Sequence, residues 1–385
     1  MVTGRNESRT GRIRLGMVGG GNDAFIGGVH RIAARIDDKF ELVAGALSST
    51  PEKSRASGEA LGLPRVYEDY KSMAIREARL KNGIEAVAIV TPNHVHYPAA
   101  REFLKRGIHV ICDKPLTSTM ADAKKLVAAA GKSDALFVLT HNYTGYPMVR
   151  QAREMVASGE IGTIRVVQAE YPQDWLTEAQ DFKQAEWRTD PARSGAGGST
   201  GDIGTHAYNL ACFVTGLEAE SLAADIQAFV SGRQVDDNAH VLLRFKGGAR
   251  GMLWSSQVAP GNENALRLRV YGDKGGLEWS QEDPNYLWFT PYGEPKRLIT
   301  RGGAGAGDAA ARMSRTPPGH PEGYLEGFAN IYSEAAEAII AHRSGATPDA
   351  AVTYPTIDDG LKGVAFVSAC VQSSKRNAAW VSLDK

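Results

Sequence analysis

Up to about residue 140 the chain alternates short apolar runs with helical patterns, and each run stops at a glycine, proline or polar turn. Ile13–Val18 ends at Gly19-Gly20-Gly21. Val29, Ile32, Ala33 and Ile36 then recur at i, i+3, i+4 and i+7, one face of a helix. Phe40–Leu47 is the next strand, and Pro51 opens a helix to Leu61, since its fixed φ suits a first turn. Ala86–Val90 ends at Thr91-Pro92-Asn93, and His109–Cys112 at Asp113-Lys114-Pro115. A helix over Met120–Lys132 and a strand at Leu136–Leu139 close the series. Successive parallel strands need a long crossover, which a helix supplies. The alternation predicts an α/β architecture, a doubly wound parallel sheet with helices on both faces.

Beyond about residue 145 the texture changes. After a helix at Met148–Ala157, strand-like stretches follow without intervening helices: Ile164–Glu170, Leu222–Val230, His240–Phe245, Gly251–Ser256, Leu266–Tyr271 and Tyr286–Phe289. Lys246-Gly247-Gly248 and Gly272-Asp273-Lys274-Gly275 are turns between them. An α+β second domain with a large, mostly antiparallel sheet is expected. The expected boundaries are a loose arm at 1–11, the first domain at 12–145 and the second at 146–385, with helices over Glu326–His342 and Asp358–Arg376 free to fold back on the first.

Lys+Arg and Asp+Glu each number 44 in the 385 residues, so there is no basic excess to hold nucleic acid, and none is expected as a partner. Cys112, Cys212 and Cys370 are sparse, odd in number and far apart, which is no disulfide framework. Met1–Arg12 is polar with no apolar core of a leader, and no run of 18 apolar residues exists. A cytoplasmic protein with no membrane partner is expected. A broad second sheet suits a homo-oligomer, a dimer or tetramer.

Five constellations carry chemistry. Gly19, Gly21, Asn22, Asp23, Phe25 and Ile26 lie in the first strand–helix turn, where glycines admit a pyrophosphate and a helix N-terminus offers N–H groups. The third glycine, Gly27, comes three residues later than the usual fingerprint. After the second strand, where an acid usually meets the ribose, stand Ser48, Ser49 and Thr50, with Lys53 and Arg55 nearby. Ser and Lys there could accept a 2′-phosphate, so NADP stays open beside NAD; the same lysine and arginine also fit an exposed helix face. Thr91, Asn93, His94 and His96 follow the fourth strand, and Asp113 and Lys114 the fifth, at the ends where such sheets bind ligands. Two histidines at i, i+2 without a third ligand do not make a metal site, and no metal is expected. Asp202 and His206, at i and i+4 ahead of a helical Ala207–Thr215, would share one face if that helix starts early, and a histidine suits proton exchange with an alcohol.

The ordered set resembles the Gfo/Idh/MocA oxidoreductase family from about Arg12 onward. The glycine turn followed by His30, Thr91-Pro92-Asn93-x-x-His96, Lys114-Pro115, Trp187-Arg188 and Asp202-x-x-x-His206 stand in that family's order. The overall texture is most similar to bacterial scyllo-inositol dehydrogenases, including the type that also oxidises L-glucose. Asp113 replaces the family's usual Glu. The resemblance implies a Rossmann first domain and NAD as cofactor. It also implies a catalytic group in which Lys114 orients the hydroxyl, His206 is the acid/base and Asp202 holds hydroxyls or tunes the histidine. Trp187 and Arg188 would pack near the nicotinamide, and Asn93 and His96 would line the same pocket.

The expected reaction is hydride transfer to the nicotinamide from the carbinol carbon of a cyclitol's secondary alcohol, or from the anomeric carbon of a sugar. Such a polyol needs many hydrogen-bond partners, and Tyr143, Asp202, Asn209 and His320 are the candidates besides Lys114 and His206. Two other classes stay open: a redox-assisted lyase or glycosidase, and a non-catalytic nicotinamide-binding regulator.

Overall fold

Strand β1 (Ile13–Gly19) is buried almost end to end and lies at the centre of a six-stranded sheet. Its companions are β2 (Phe40–Ala46), β3 (Arg65–Val66), β4 (Ala86–Val90), β5 (His109–Cys112) and β6 (Phe137–Leu139), in the order β3-β2-β1-β4-β5-β6, every pair parallel. The computed structural model describes residues 11–22, 24–181 and 183–383. The expected arm, apart from Gly11, lies outside them, as does Asp23. β4 and β5 carry no exposed residue, as strands covered on both faces must. Register aligns the strand ends: Gly19 pairs with Val90, Ile89 with Cys112 and Cys112 with Leu139. The turns that follow therefore open along one edge of the sheet.

Helices α1 (Phe25–Ile36), α2 (Pro51–Ala60), α3 (Tyr70–Glu77), α4 (Asn93–Leu104) and α5 (Met120–Ala130) make the crossovers. The face of α1 differs from expectation. Val29, His30, Ala33 and Ala34 are buried, whereas Ile32 and Ile36 are exposed. The reason is a helix from the far end of the chain, which lies against α1 and turns its buried stripe.

In the second half come α6 (Pro147–Ala157), β7 (Ile164–Pro172), the short α7 (Lys183–Arg188) and α8 (Pro191–Ser194), and α9 (Thr205–Thr215). Strands β8 (Ala219–Gln227), β9 (Asn238–Phe245), β10 (Arg250–Ser256), β11 (Arg267–Gly272), β12 (Gly275–Ser280), β13 (Tyr286–Pro291) and β14 (Arg297–Thr300) follow. Helices α10 (Asp308–Arg312), α11 (Tyr324–Arg343) and α12 (Ile357–Ser374) and the strand β15 (Val381–Ser382) end the chain. The nine strands form one sheet, β14-β13-β12-β11-β7-β10-β9-β8-β15, antiparallel except where β7 meets β10. The sequence reading passes over β12, β14 and β15: the first opens on Gly275-Gly276 and the others are short.

One face of this sheet is core. Val167, Val241, Leu243, Leu253, Leu268 and Leu277 meet Met148, Val149, Leu210 and Val214 of α6 and α9. The opposite face is open, with Val166, Leu242, Met252 and Trp288 exposed. α11 returns to the first sheet. Its Phe328, Tyr332, Ala335 and Ile339 share a core with Ile13, Leu15, Val29 and Phe40. Arg150 of α6 clamps Glu334 of α11 with two bonds of 3.0 and 2.8 Å, both side chains almost fully buried.

Candidate active site

A cavity of about 1280 Å³ runs along the aligned strand ends, with the second domain as its far wall. Its floor is the glycine turn. Gly19 and Gly20 hold φ of +76° and +69°, and a Cβ on Gly19 would lie 2.3 Å from the Val90 carbonyl oxygen. The late third glycine has a packing role, since a Cβ on Gly27 would lie 2.4 Å from Gly20 Cα. It lets α1 close on the turn despite the insertion. Arg31 of α1 donates to the Gly20 carbonyl and braces the same turn. No side chain caps α1, whose N-cap is Ala24, so the first turn presents backbone toward the cavity. Asn22, Phe25 and Ile26 line it.

Ser48, Ser49, Thr50 and Lys53 form one end, opposite Glu68, Asp69 and Tyr70. Asp69 is committed to capping α3 through Lys71 N and Ser72 N, at 2.8 and 2.9 Å. Thr91, Asn93, His94 and Asp113 continue the wall. Asn93 Nδ2 donates to the Ser194 carbonyl at 2.8 Å and so fixes α8 beside the cleft. Asp113 takes bonds from Lys114 N and Thr140 Oγ1, tying the ends of β5 and β6.

Two buried polar atoms of residues in this wall, Thr91 Oγ1 and Asn142 Nδ2, have no partner among the described residues. Together with the glycine cradle, they fit a bound dinucleotide: a turn that admits phosphates at one place and unspent hydrogen-bonding groups at another.

Lys114, Asp202 and His206 meet in the middle. Lys114 Nζ donates to Asp202 Oδ1 at 2.8 Å and to the Asp202 carbonyl at 2.6 Å. Asp202 Oδ2 accepts from Arg188 Nε at 3.1 Å and Gln257 Nε2 at 3.0 Å. Burial would raise the Asp202 pKa, but the charges of Lys114 and then Arg188 hold it well below the usual carboxylate range. His206 is pushed well below 6.5, first by burial, then by Lys114 and His141. It is a neutral imidazole at pH 7. The guanidinium of Arg188 stacks on Trp187 at 4.3 Å, and both residues line the cavity.

Asp202 lies ahead of α9 in a wide π-turn, Thr200–Gly204, that leads straight into the helix. Such turns are uncommon and recur at functional sites. Asp236 anchors this one. Its carboxylate accepts from Gly198 N at 2.7 Å, Thr200 N at 2.8 Å, Thr200 Oγ1 at 2.6 Å and Ser199 Oγ at 3.0 Å. The sequence reading missed Asp236, although Gly197-Gly198-Ser199-Thr200 offers the N–H and hydroxyl groups that want such an acceptor.

The far end is polar and uncharged. Tyr143 and Tyr171 hydroxyls meet at 2.5 Å, and Tyr171 donates to Asn264 Oδ1 at 2.7 Å. Gln173 Nε2 donates to the same oxygen at 2.7 Å, and Asn264 Nδ2 donates to Gln281 Oε1 at 3.0 Å. All five line the cavity. Only Tyr143 of these is readable as a candidate from sequence. Tyr171 and Gln173 adjoin at the end of β7, Asn264 precedes β11 and Gln281 follows β12.

Three expected residues do not reach the cavity. His96 is fully buried beneath it, with its ring nitrogens at 2.8 Å from the Pro115 carbonyl and 2.9 Å from that of Thr91. It braces the two turns. Asn209, one turn beyond His206 on α9, is buried away from the lining. His320 sits on an exposed loop whose backbone carbonyl is held by Arg301, so it does not fold over the cleft. Among the described residues there is no group of three or more His, Cys, Asp or Glu that could hold a metal, and no helix long and apolar enough to cross a membrane.

Comparison with known proteins agrees with this geometry. Residues 13–141 match the model of an oxidoreductase family with an NAD-binding Rossmann fold, and residues 149–278 match the GFO/IDH/MocA C-terminal domain. The chain is 71% identical to an oxidoreductase from Sinorhizobium meliloti of solved structure, with a TM-score of 0.90 over 97% of this chain and 100% of the other. It is 36% identical to an inositol dehydrogenase homologue from Azotobacter vinelandii, solved with NADH and myo-inositol (TM-score 0.91; 97% and 98% covered). It is also 36% identical over 378 residues to the uncharacterized oxidoreductase YfiI of Bacillus subtilis, covering 96% of each chain.

Proposed function

The chain belongs to the GFO/IDH/MocA family of NAD-binding oxidoreductases, and from that premise we propose that it oxidises a secondary hydroxyl of a cyclitol, or the anomeric hydroxyl of a sugar. The observation that carries this reading is the meeting of Lys114, Asp202 and His206 in the wall of the cavity that the glycine turn opens. NAD, when bound, supplies the hydride acceptor.

The roles of the side chains follow from their geometry. Neutral His206 takes the hydroxyl proton. Lys114 stabilises the negative charge that grows on the oxygen, a task suited to a preorganised ammonium in a site shielded from water. Asp202 aims Lys114 through two bonds and is itself aimed by Arg188 and Gln257. Tyr143, Gln173, Asn264 and Gln281 offer donors and acceptors without net charge, which favours an uncharged polyol over a phosphorylated or carboxylated one. The myo-inositol complex of the Azotobacter homologue supports the same class. The test is NAD and NADP reduction across a panel of inositols and aldoses. NADH accumulation with a neutral polyol is expected. A product formed without net NADH would point to a redox-neutral lyase instead, and no turnover would leave a binding protein.

We also propose that copies of the chain associate through the open face of the second sheet, where Leu242, Met252 and Trp288 stand exposed. Light scattering should show a dimer or tetramer that Leu242→Lys weakens. A wild-type monomer at micromolar concentration would refute this.

A further inference from the structure

Behind His206 lies a second imidazole that the reaction as described does not use. His141 follows β6, and its carbonyl is held by Thr144 N at 3.1 Å and Thr144 Oγ1 at 2.9 Å. Its ring is buried and is not among the side chains that line the cavity. Its Nδ1 faces His206 Nδ1 at 3.4 Å, with the rings 5.3 Å apart and nearly perpendicular. The ring of Tyr143 supports His206 edge-on at 4.8 Å, and that of Tyr171 stands at 6.3 Å.

Two nitrogens in contact can share only one proton, so this contact chooses the tautomer of His206. If His141 donates, His206 carries its proton on Nε2 and has no base to offer. If His206 donates, its Nε2 lone pair is free at the cavity. We propose that His141 is a positioning residue that accepts the Nδ1–H of His206 and so holds it in the basic tautomer, a role that rests on the dehydrogenase reading above. Burial and then the Lys114 charge lower the His141 pKa to about 3, so it stays an uncharged acceptor. As the alcohol proton reaches His206 Nε2, the Nδ1–H remains bonded to His141 and no proton moves onto His141. The charged and titratable groups facing His206 are Lys114 after β5, Asp202 in the π-turn, His141 after β6 and the two tyrosines.

The test is His141→Phe beside His141→Gln, whose amide carbonyl can accept the same hydrogen. His141→Phe should lower kcat by about 100-fold, the lower end of what a positioned acid–base group contributes, with KM and NAD affinity little changed. His141→Gln should recover most of kcat. Histidine 15N shifts in the free protein should show His206 protonated at Nδ1 in the wild type and shifted toward Nε2 in His141→Phe. An unchanged tautomer, or a Gln variant no better than Phe, would overturn the proposal. If the wild type reduces no NAD with any polyol, the dehydrogenase reading fails, while the 15N spectra still decide the tautomer.

Discussion

The ammonium of Lys114 reaches Asp202 twice, at its carboxylate and at its backbone carbonyl, so one side chain spans from the end of the first sheet to the π-turn of the second domain. The same pair thus places the charge and links the two domains.

Lys114→Ala should therefore do more than remove a charge. We expect kcat to fall by about 10²–10³, the usual loss for a stabilising donor, with NAD affinity retained in a fluorescence titration. Lys114 is the largest electrostatic influence on His206 after burial, so the residual activity should show its acid limb at higher pH than the wild type. Loss of NAD binding alongside kcat would contradict this assignment.

In the wild type, that acid limb should lie below pH 6.5, because burial, Lys114 and His141 all disfavour the protonated His206. A pH profile of kcat/KM with its limb near 7 would speak against His206 as the base.

Stability should also fall early on acidification. His30, His109 and His141 are held near 4, 4 and 3, mainly by burial, against about 6.5 in an unfolded chain. The unfolded state takes up protons that the folded state refuses. Stability is therefore full above pH 6.5 and declines as pH falls toward the folded values, by up to about 1.4 kcal/mol per pH unit for each group. Thermal unfolding between pH 7 and 4.5 should show the decline, and His141→Phe should flatten it. A midpoint constant across that range would refute it.

Asn264→Leu should raise KM for the polyol by roughly 10- to 100-fold while leaving NAD affinity alone. The substitution removes a donor and an acceptor from the cavity wall and releases Tyr171, Gln173 and Gln281 from their common partner, and a substrate hydroxyl left unsatisfied there costs about 1–3 kcal/mol. An unchanged KM would remove this end of the cavity from substrate recognition.

Glu334→Gln leaves Arg150 buried without its counter-charge and weakens Arg312 as well. Urea unfolding should show a loss of about 3–5 kcal/mol. A loss under about 1 kcal/mol would show that the pair is not a clamp between α6 and α11.

Five strands of the first sheet were legible because they read as short, largely apolar runs, Ala86–Val90 among them, whereas β3, two half-buried residues, carries no such signal. The cleft residues at the ends of these strands were legible for the same reason, since strand ends fix where turns open. What escaped was set by distant chain. Ile32 looked like core until α11 claimed the other side of α1. Tyr171, Gln173, Asn264 and Gln281 come from segments whose spacing says nothing about their meeting. His320 looked free to cover the cleft, but Arg301 pins its loop elsewhere. Asp202 and His206 were found as a pair, yet the π-turn that presents them depends on Asp236, more than thirty residues on.

The return of α11 to the first sheet has a consequence for synthesis. The six strands are complete at Leu139, but the helix that covers one of their faces ends at Arg343. At a translation rate of about 5–20 residues per second, that face waits roughly 10–40 s for its cover. A fragment ending at residue 145 is expected to bind hydrophobic dyes and to be cut readily by protease. On the ribosome the nucleotide half emerges first and is finished last, so a nascent chain presents a sticky, half-roofed sheet that chaperones can hold until its final helices arrive.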